Sequence, residues 1–243
     1  MNTGSGTLVG TAASTAIRTT TLNGQTGVVQ STYHISSSTD PQISPADGAF
    51  YLSNYASVVR LTYAEFGAWS VNATPTAPIA TYQGVYAGAK PGGARTPAES
   101  MPRSGSATFA GGAAGYLGQA SGTPADTASG TFYGAATLTA NFASNSISGS
   151  VTDITVYRRG AQNKTVIGTA NDVFLTGTIS GAIFTGTATA GTTPGSAYDL
   201  GGATGAVAGA FFGPAADEAA GTFSLFGGPR GASMVGSFGA KRQ

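Results

Sequence analysis

Two runs, "TFYGAATLTANF" (Thr131–Phe142) and "SISGSVTDITVYRR" (Ser146–Arg159), stand on either side of the tripeptide "ASN". In the first, Phe132, Gly134, Ala136, Leu138, Ala140 and Phe142 fall on one face, and Thr131, Tyr133, Thr137, Thr139 and Asn141 on the other. An alternation of period two, apolar against polar, marks a strand with one buried and one wet face. The second run brings Ile147, Gly149 and Val151 together, and the short polar turn between the runs predicts an antiparallel hairpin.

The same grammar continues outward. "VFLTGTIS" and "IFTGTATAG" are separated only by Gly181 and Ala182, and "GAVAGAFFG", "GTFSLFG" and "SMVGSFGA" follow. From Ser104 onward this gives about eight or nine strands with turn chemistry between them, the pattern of a sandwich or closed barrel. Glycines within the strands permit tight bends and close approach, so the expectation is an all-β chain whose C-terminal part is an antiparallel up-and-down barrel.

Upstream the character changes. "AFYLSNYASVVRLTYAEFGAWSV" is the most aromatic region, and "AGAKPGGARTPAESMPRSG" concentrates Pro, Gly and charge. That loop predicts a boundary, with a smaller sheet-rich N-terminal unit over 1–103 and the barrel over 104–243. "TLNGQTGVV" places Asn-Gly between apolar residues, a further hairpin signal.

Composition excludes several functions. Only 9% of the 243 residues are charged and the net charge is +1, which leaves no electrostatic footprint for a nucleic acid. Cysteine is absent, so disulfides and thiolate metal sites are excluded. No apolar run reaches the length of a membrane-spanning helix. "MNTGSGT" lacks the basic-then-apolar pattern of a signal peptide and reads as a mature N-terminus behind an initiating methionine. No G-x-S-x-G, H-E-x-x-H or phosphate-loop motif occurs, and no acid, base and nucleophile set converges, so the chain does not read as an enzyme.

Four groups of residues carry the chemistry that remains. His34 is the sole histidine and follows Tyr33; strand neighbours point to opposite faces, so at most one of them serves a given pocket. The cluster Phe50, Tyr51, Tyr55, Tyr63, Phe66 and Trp69 either presents a binding surface, led by Tyr51, Tyr55 and Trp69, or packs the N-terminal unit against the barrel. Arg158, Arg159 and Lys164 suggest a basic hairpin tip, solvated or in contact with a partner. In "FFGPAADEAAGTFSLFG" (Phe211–Gly227), the Gly-Pro break followed by "AADEAA" predicts one helical turn outside the barrel. On that reading Asp217 and Glu218 are solvated connector residues.

"GAFFGPAADEAAGTFSLFG" with the terminal "VGSFGAKRQ" resembles the barrel of the transferrin-binding protein B family. "TPAESMPRSGSATFAGGAAGY" is similar to the segment leading into that barrel, and "LTYAEFGAW" to the strand before it in small single-lobe members. The likeness covers roughly residues 55 to 243. It implies an eight-stranded barrel with a handle-like domain, on an outer-membrane surface lipoprotein or a secreted protein, in some cases exported by a Slam-type translocon and serving an outer-membrane receptor. It implies a partner such as transferrin, complement factor H, haemoglobin or haem, and a binding protein that captures haem or another iron source for uptake. A haem-binding member would use an axial His or Tyr, for which His34 is the first candidate and Tyr33 the second. A structural or adhesive module binding only protein is the alternative. The chain departs from the pattern in having no lipid-attachment cysteine and in being a single lobe with weakly charged loops.

Overall fold

The computed structural model describes residues 55–56, 58–69, 84–119, 129–158, 165–193 and 195–243 in full, and elsewhere only the paths of short strands. These strands are β1 (Leu8–Gly10), β2 (Ala16–Leu22), β3 (Gln25–Val29), β4 (Gln42–Ile43) and β5 (Phe50–Asn54). With β6 (Ala64–Val71) and β7 (Tyr82–Ala89) they make a three-stranded sheet, β1-β2-β3, and a four-stranded sheet, β4-β5-β6-β7. The Asn-Gly hairpin is present: Leu22 pairs with Gln25, leaving Asn23 and Gly24 between the strands.

The rest of the chain is β8 (Ser106–Gly118), β9 (Ser129–Asn141), β10 (Ser146–Arg158), β11 (Val166–Thr169), β12 (Val173–Ser180), β13 (Ile183–Ala190), β14 (Thr204–Phe212), β15 (Glu218–Leu225) and β16 (Ser233–Arg242). Strands β8, β9, β10, β12, β13, β14, β15 and β16 pair in that order, and β16 returns to β8 through Phe238↔Ala113 and its neighbours. The expected eight-stranded up-and-down barrel is thus closed. The ninth strand, β11, is a side strand on the far end of β10.

Period two is realised inside and out. Phe132, Leu138 and Phe142 are all buried, while Thr137 and Thr139 are exposed. The lumen is a packed core in which Phe211 meets Phe109 at 5.7 Å, Phe142 at 5.7 Å and Phe184 at 5.4 Å between ring centres. Outward positions on β9, β10, β12 and β13 carry threonine and serine, with Thr176 and Thr187 hydroxyls 3.0 Å apart. That polarity is opposite to a membrane barrel, whose lipid-facing band is apolar.

The Pro/Gly-rich loop before β8 lies against the barrel. Arg95 bridges to Phe212, Thr96 N–H donates to Phe211 O at 2.9 Å, and Thr96 Oγ1 donates to Gly213 O at 2.7 Å.

The acidic pair needs a correction. No helical turn forms at "AADEAA"; Gly213 (φ 87) and Ala216 (φ 58) make a tight turn, and Glu218 opens β15. Asp217 stays at the turn and its Oδ2 accepts the Ala215 N–H at 3.2 Å. Glu218 is fully buried. Strand alternation separates the two: adjacent residues point to opposite faces, and the outer face at Glu218 is covered by the N-terminal unit.

Candidate functional site

That cover is built by the segment 55–64, a strap lying across four barrel strands. It leaves β5, turns through Arg60 in a left-handed conformation (φ 56), and enters β6. At one end the Glu218 carboxylate on β15 accepts three consecutive backbone N–H groups: Thr62 at 2.5 Å to Oε1, and Tyr63 at 2.8 Å and Ala64 at 2.9 Å to Oε2. Lys90 Nζ donates to the Leu61 carbonyl beside it. Backbone amides aimed at one buried carboxylate satisfy its charge without a cationic partner.

Next, Phe66 and Leu61 sit over Gly239 on β16, where an added Cβ would meet the Leu61 Cδ1 at 2.7 Å. Val59 lies over Gly112 on β8 in the same way, at 3.2 Å. At Gly239 the strap runs at the height a side chain would occupy, which demands glycine, whereas at Gly112 the approach is tight but less severe. The Tyr63 ring covers Gly213, and Ser237 Oγ on β16 donates to the Gly67 carbonyl at 2.8 Å.

At the far end Tyr55 meets β9. Its hydroxyl is 2.7 Å from that of Tyr133, and the two rings stand edge to face at 5.1 Å. Tyr133 in turn meets Tyr157 of β10, edge to face at 5.3 Å. All three tyrosines are half-buried. Beside them Val58 is 68% exposed, so this end of the strap is open to solvent.

The expected site residues are therefore distributed. Phe66 belongs to the packing between strap and barrel, Tyr55 to the tyrosine row, and Trp69 is half-buried with its indole over Gly84 of β7. Tyr51 lies in β5, which is described by its strand path alone. Tyr33 and His34 lie outside the described residues, as do Arg159 and Lys164; Arg158 closes β10. Lys90 ties the strap to the chain that follows β7.

Sequence reading placed Tyr133 on the wet face of its strand but singled out neither Tyr133 nor Tyr157 as a site residue. A signal existed: Tyr133 is the single aromatic on the wet, threonine-rich face of its strand. It also missed a polarity between the barrel ends. Residues 142–145, 181–182 and 213–217 are tight turns at one end of the barrel, whereas at the opposite end β8 and β9, β10 and β12, β13 and β14, and β15 and β16 are separated by longer stretches of chain. Tyr116, Tyr133, Tyr157 and Tyr198, the barrel's tyrosines, all lie toward the long connections. Tyr198 is buried and its hydroxyl has no hydrogen-bond partner among the described residues. Burial raises its pKa above the ordinary 10.0, against a smaller downward pull from Arg158.

Among the described residues, the void lined by Leu138, Ile147, Leu175, Phe184 and Val207 is too small for a water molecule. Among the described residues no three His, Cys, Asp or Glu side chains gather in a metal-ligating group. No helix among them is long and apolar enough to cross a membrane.

Comparison with known proteins agrees with this architecture. Solved structures of transferrin binding protein B are similar in fold. A mutant of the vaccine antigen from Haemophilus parasuis is 18% identical with a TM-score of 0.60, over 97% of this chain and 42% of that one. The isotype 1 protein of serogroup B Neisseria meningitidis is 21% identical with a TM-score of 0.52, over 86% of this chain and 37% of that one. This chain thus spans about two fifths of the length of those relatives. A comparison with curated protein sequences finds no match. Residues 101–242 match the family described as the C-lobe and N-lobe β-barrels of Tf-binding protein B; with that match over a barrel of the expected closure, the chain belongs to the transferrin-binding protein B barrel family.

Proposed function

We propose that this protein is a bacterial surface-displayed or secreted binding protein that captures an iron source through the outside of its fold. The observation that carries this reading is the row of half-buried tyrosines Tyr55, Tyr133 and Tyr157 on the outside of the barrel, with exposed Val58 in the same strap. Tyrosine combines large apolar area with a hydrogen-bonding tip, and such residues dominate the energetics of protein interfaces. The aromatic cluster that packs the lumen around Phe211 supports an external site, since side chains that fill a barrel of about eight strands leave little space for a ligand.

Membership of the barrel family supports a protein partner of the transferrin class, with haem, haemoglobin or complement factor H as other ligands. An outer-membrane receptor and a Slam-type translocon belong to the same reading, as does an outer-membrane location. Haem is the finer alternative for the ligand, with His34 as axial candidate, Tyr33 second, and Tyr51, Tyr55 and Trp69 as apolar wall. The reading involves no catalytic step.

The test immobilises the purified chain and measures binding of host transferrin, haemoglobin and factor H, with hemin followed by its Soret band. Binding of one of these, weakened by Tyr157→Ala or Val58→Asp in a folded protein, supports the external site. Failure of all four to bind overturns the iron-capture reading and leaves the structural or adhesive module.

A further inference from the structure

We propose that Tyr55 and Tyr133 form an oxidative cross-linking site, at which a one-electron phenol oxidant ties the strap covalently to the barrel. The geometry is specific. The hydroxyls converge to 2.7 Å while the ring centres are 5.1 Å apart, so the hydroxyl ends of the two rings, which carry the ortho carbons, lie closer together than their centres. The rings stand edge to face, so coupling turns one of them until two ortho carbons meet. Both residues are half-buried, open enough to lose an electron to an external oxidant and held well enough to meet each other first. Tyr157, edge-on to Tyr133 at 5.3 Å, extends the row over which an oxidised phenol is relayed.

Redox chemistry elsewhere in the chain favours the same place. Cysteine is absent, so the usual first target of oxidation is missing. Of the methionines, Met101 and Met234 are 8% and 1% exposed, which leaves half-open aromatic side chains, the tyrosines and Trp69, as accessible electron donors among the described residues; of these, Tyr55 and Tyr133 are the pair with touching hydroxyls. In the cross-linking step each phenol loses one electron and one proton, and the two phenoxyl radicals join carbon to carbon. The displaced ring hydrogens move to the oxygens and restore both hydroxyls. Overall, two aryl C–H bonds are replaced by one C–C bond, and one hydrogen peroxide, acting through a peroxidase, is reduced to two waters. The linked residues are 78 apart in sequence, so the bond would restrain the unfolded chain as a disulfide does.

The experiment treats the dilute full-length protein with a peroxidase and hydrogen peroxide. The monomer fraction is then examined for dityrosine fluorescence, intact mass and linked peptides. The expected product is a monomer lighter by two hydrogens, with a peptide containing Tyr55 joined to one containing Tyr133 and a raised melting temperature. Tyr55→Phe and Tyr133→Phe, which keep the rings and the packing, lose that peptide and nearly all monomer fluorescence; Tyr157→Phe retains the link. Absence of the Tyr55–Tyr133 peptide from the oxidised wild-type monomer overturns the proposal. So does equal monomer fluorescence from Tyr133→Phe.

Discussion

Replacing Glu218 by glutamine removes one charge while nearly preserving shape, and it isolates the carboxylate as the holder of the strap. In the native arrangement Oε1 accepts one backbone N–H and Oε2 accepts two, at 2.5, 2.8 and 2.9 Å. Glutamine in its best orientation keeps the carbonyl on Tyr63 and Ala64 and turns its own N–H groups toward that of Thr62. One charge-assisted bond is lost and the other two become neutral. Hydrogen bonds to charged groups contribute about 1.5–3 kcal/mol each. Thr62 is exposed enough to turn its amide to water, so the expected cost is about 2 kcal/mol. For a chain of this size that lowers Tm by about 4–8 °C. Glu218→Ala orphans all three donors and leaves a void, for about 3–5 kcal/mol. Thermal and urea denaturation give the totals, and limited proteolysis within 55–64 shows whether the strap is what loosens. A Glu218→Gln protein within about 0.5 kcal/mol of wild type, the scale of ordinary surface changes, would refute the reasoning and return Glu218 to the status of a decorative acid.

Asp217→Asn is the natural control: asparagine still accepts the Ala215 N–H, so stability shifts by about 0.5 kcal/mol or less in the same melts. Gly239→Val drives a side chain into Phe66 and Leu61 and destabilises by about 1–3 kcal/mol in urea titration, with the strap rather than the lumen yielding first to protease. Because Tyr198 is pushed above its ordinary 10.0 by burial, the unfolded chain releases that proton first. Its contribution is full below pH 10.0 and is lost as pH rises through the folded value. Tyr198→Phe therefore melts at or slightly above wild type near neutrality and loses less stability on alkaline titration; equal alkaline losses would remove Tyr198 as their source. If haem is the ligand, His34→Ala changes the Soret spectrum and weakens hemin binding at least tenfold, ~1.4 kcal/mol; an unchanged titration removes His34.

The barrel was legible in the sequence because its determinants are local. Strand period, turn residues and the face on which Phe132, Leu138 and Phe142 fall are all written within a dozen residues; pairing of neighbouring strands lays down the meander, and the long-range pairing of β16 with β8 closes it. Glu218 was not legible. Its neighbours are alanine and aspartate, and the helix propensity of "AADEAA" is a weak local preference that strand pairing with Phe212 and Lys241 overrides. Its partners are main-chain amides 154 to 156 residues away, and backbone donors leave no mark in side-chain identity. Tyr133 is intermediate: an aromatic on a threonine face was visible as an oddity, but only the strap's path over Gly239 and Gly112 brings Tyr55 to its hydroxyl. The sequence by itself determined which residues face inward, since that depends on periodicity. The tertiary structure alone decided which outward residues are covered, because covering is a contact between segments distant along the chain and has no local signature.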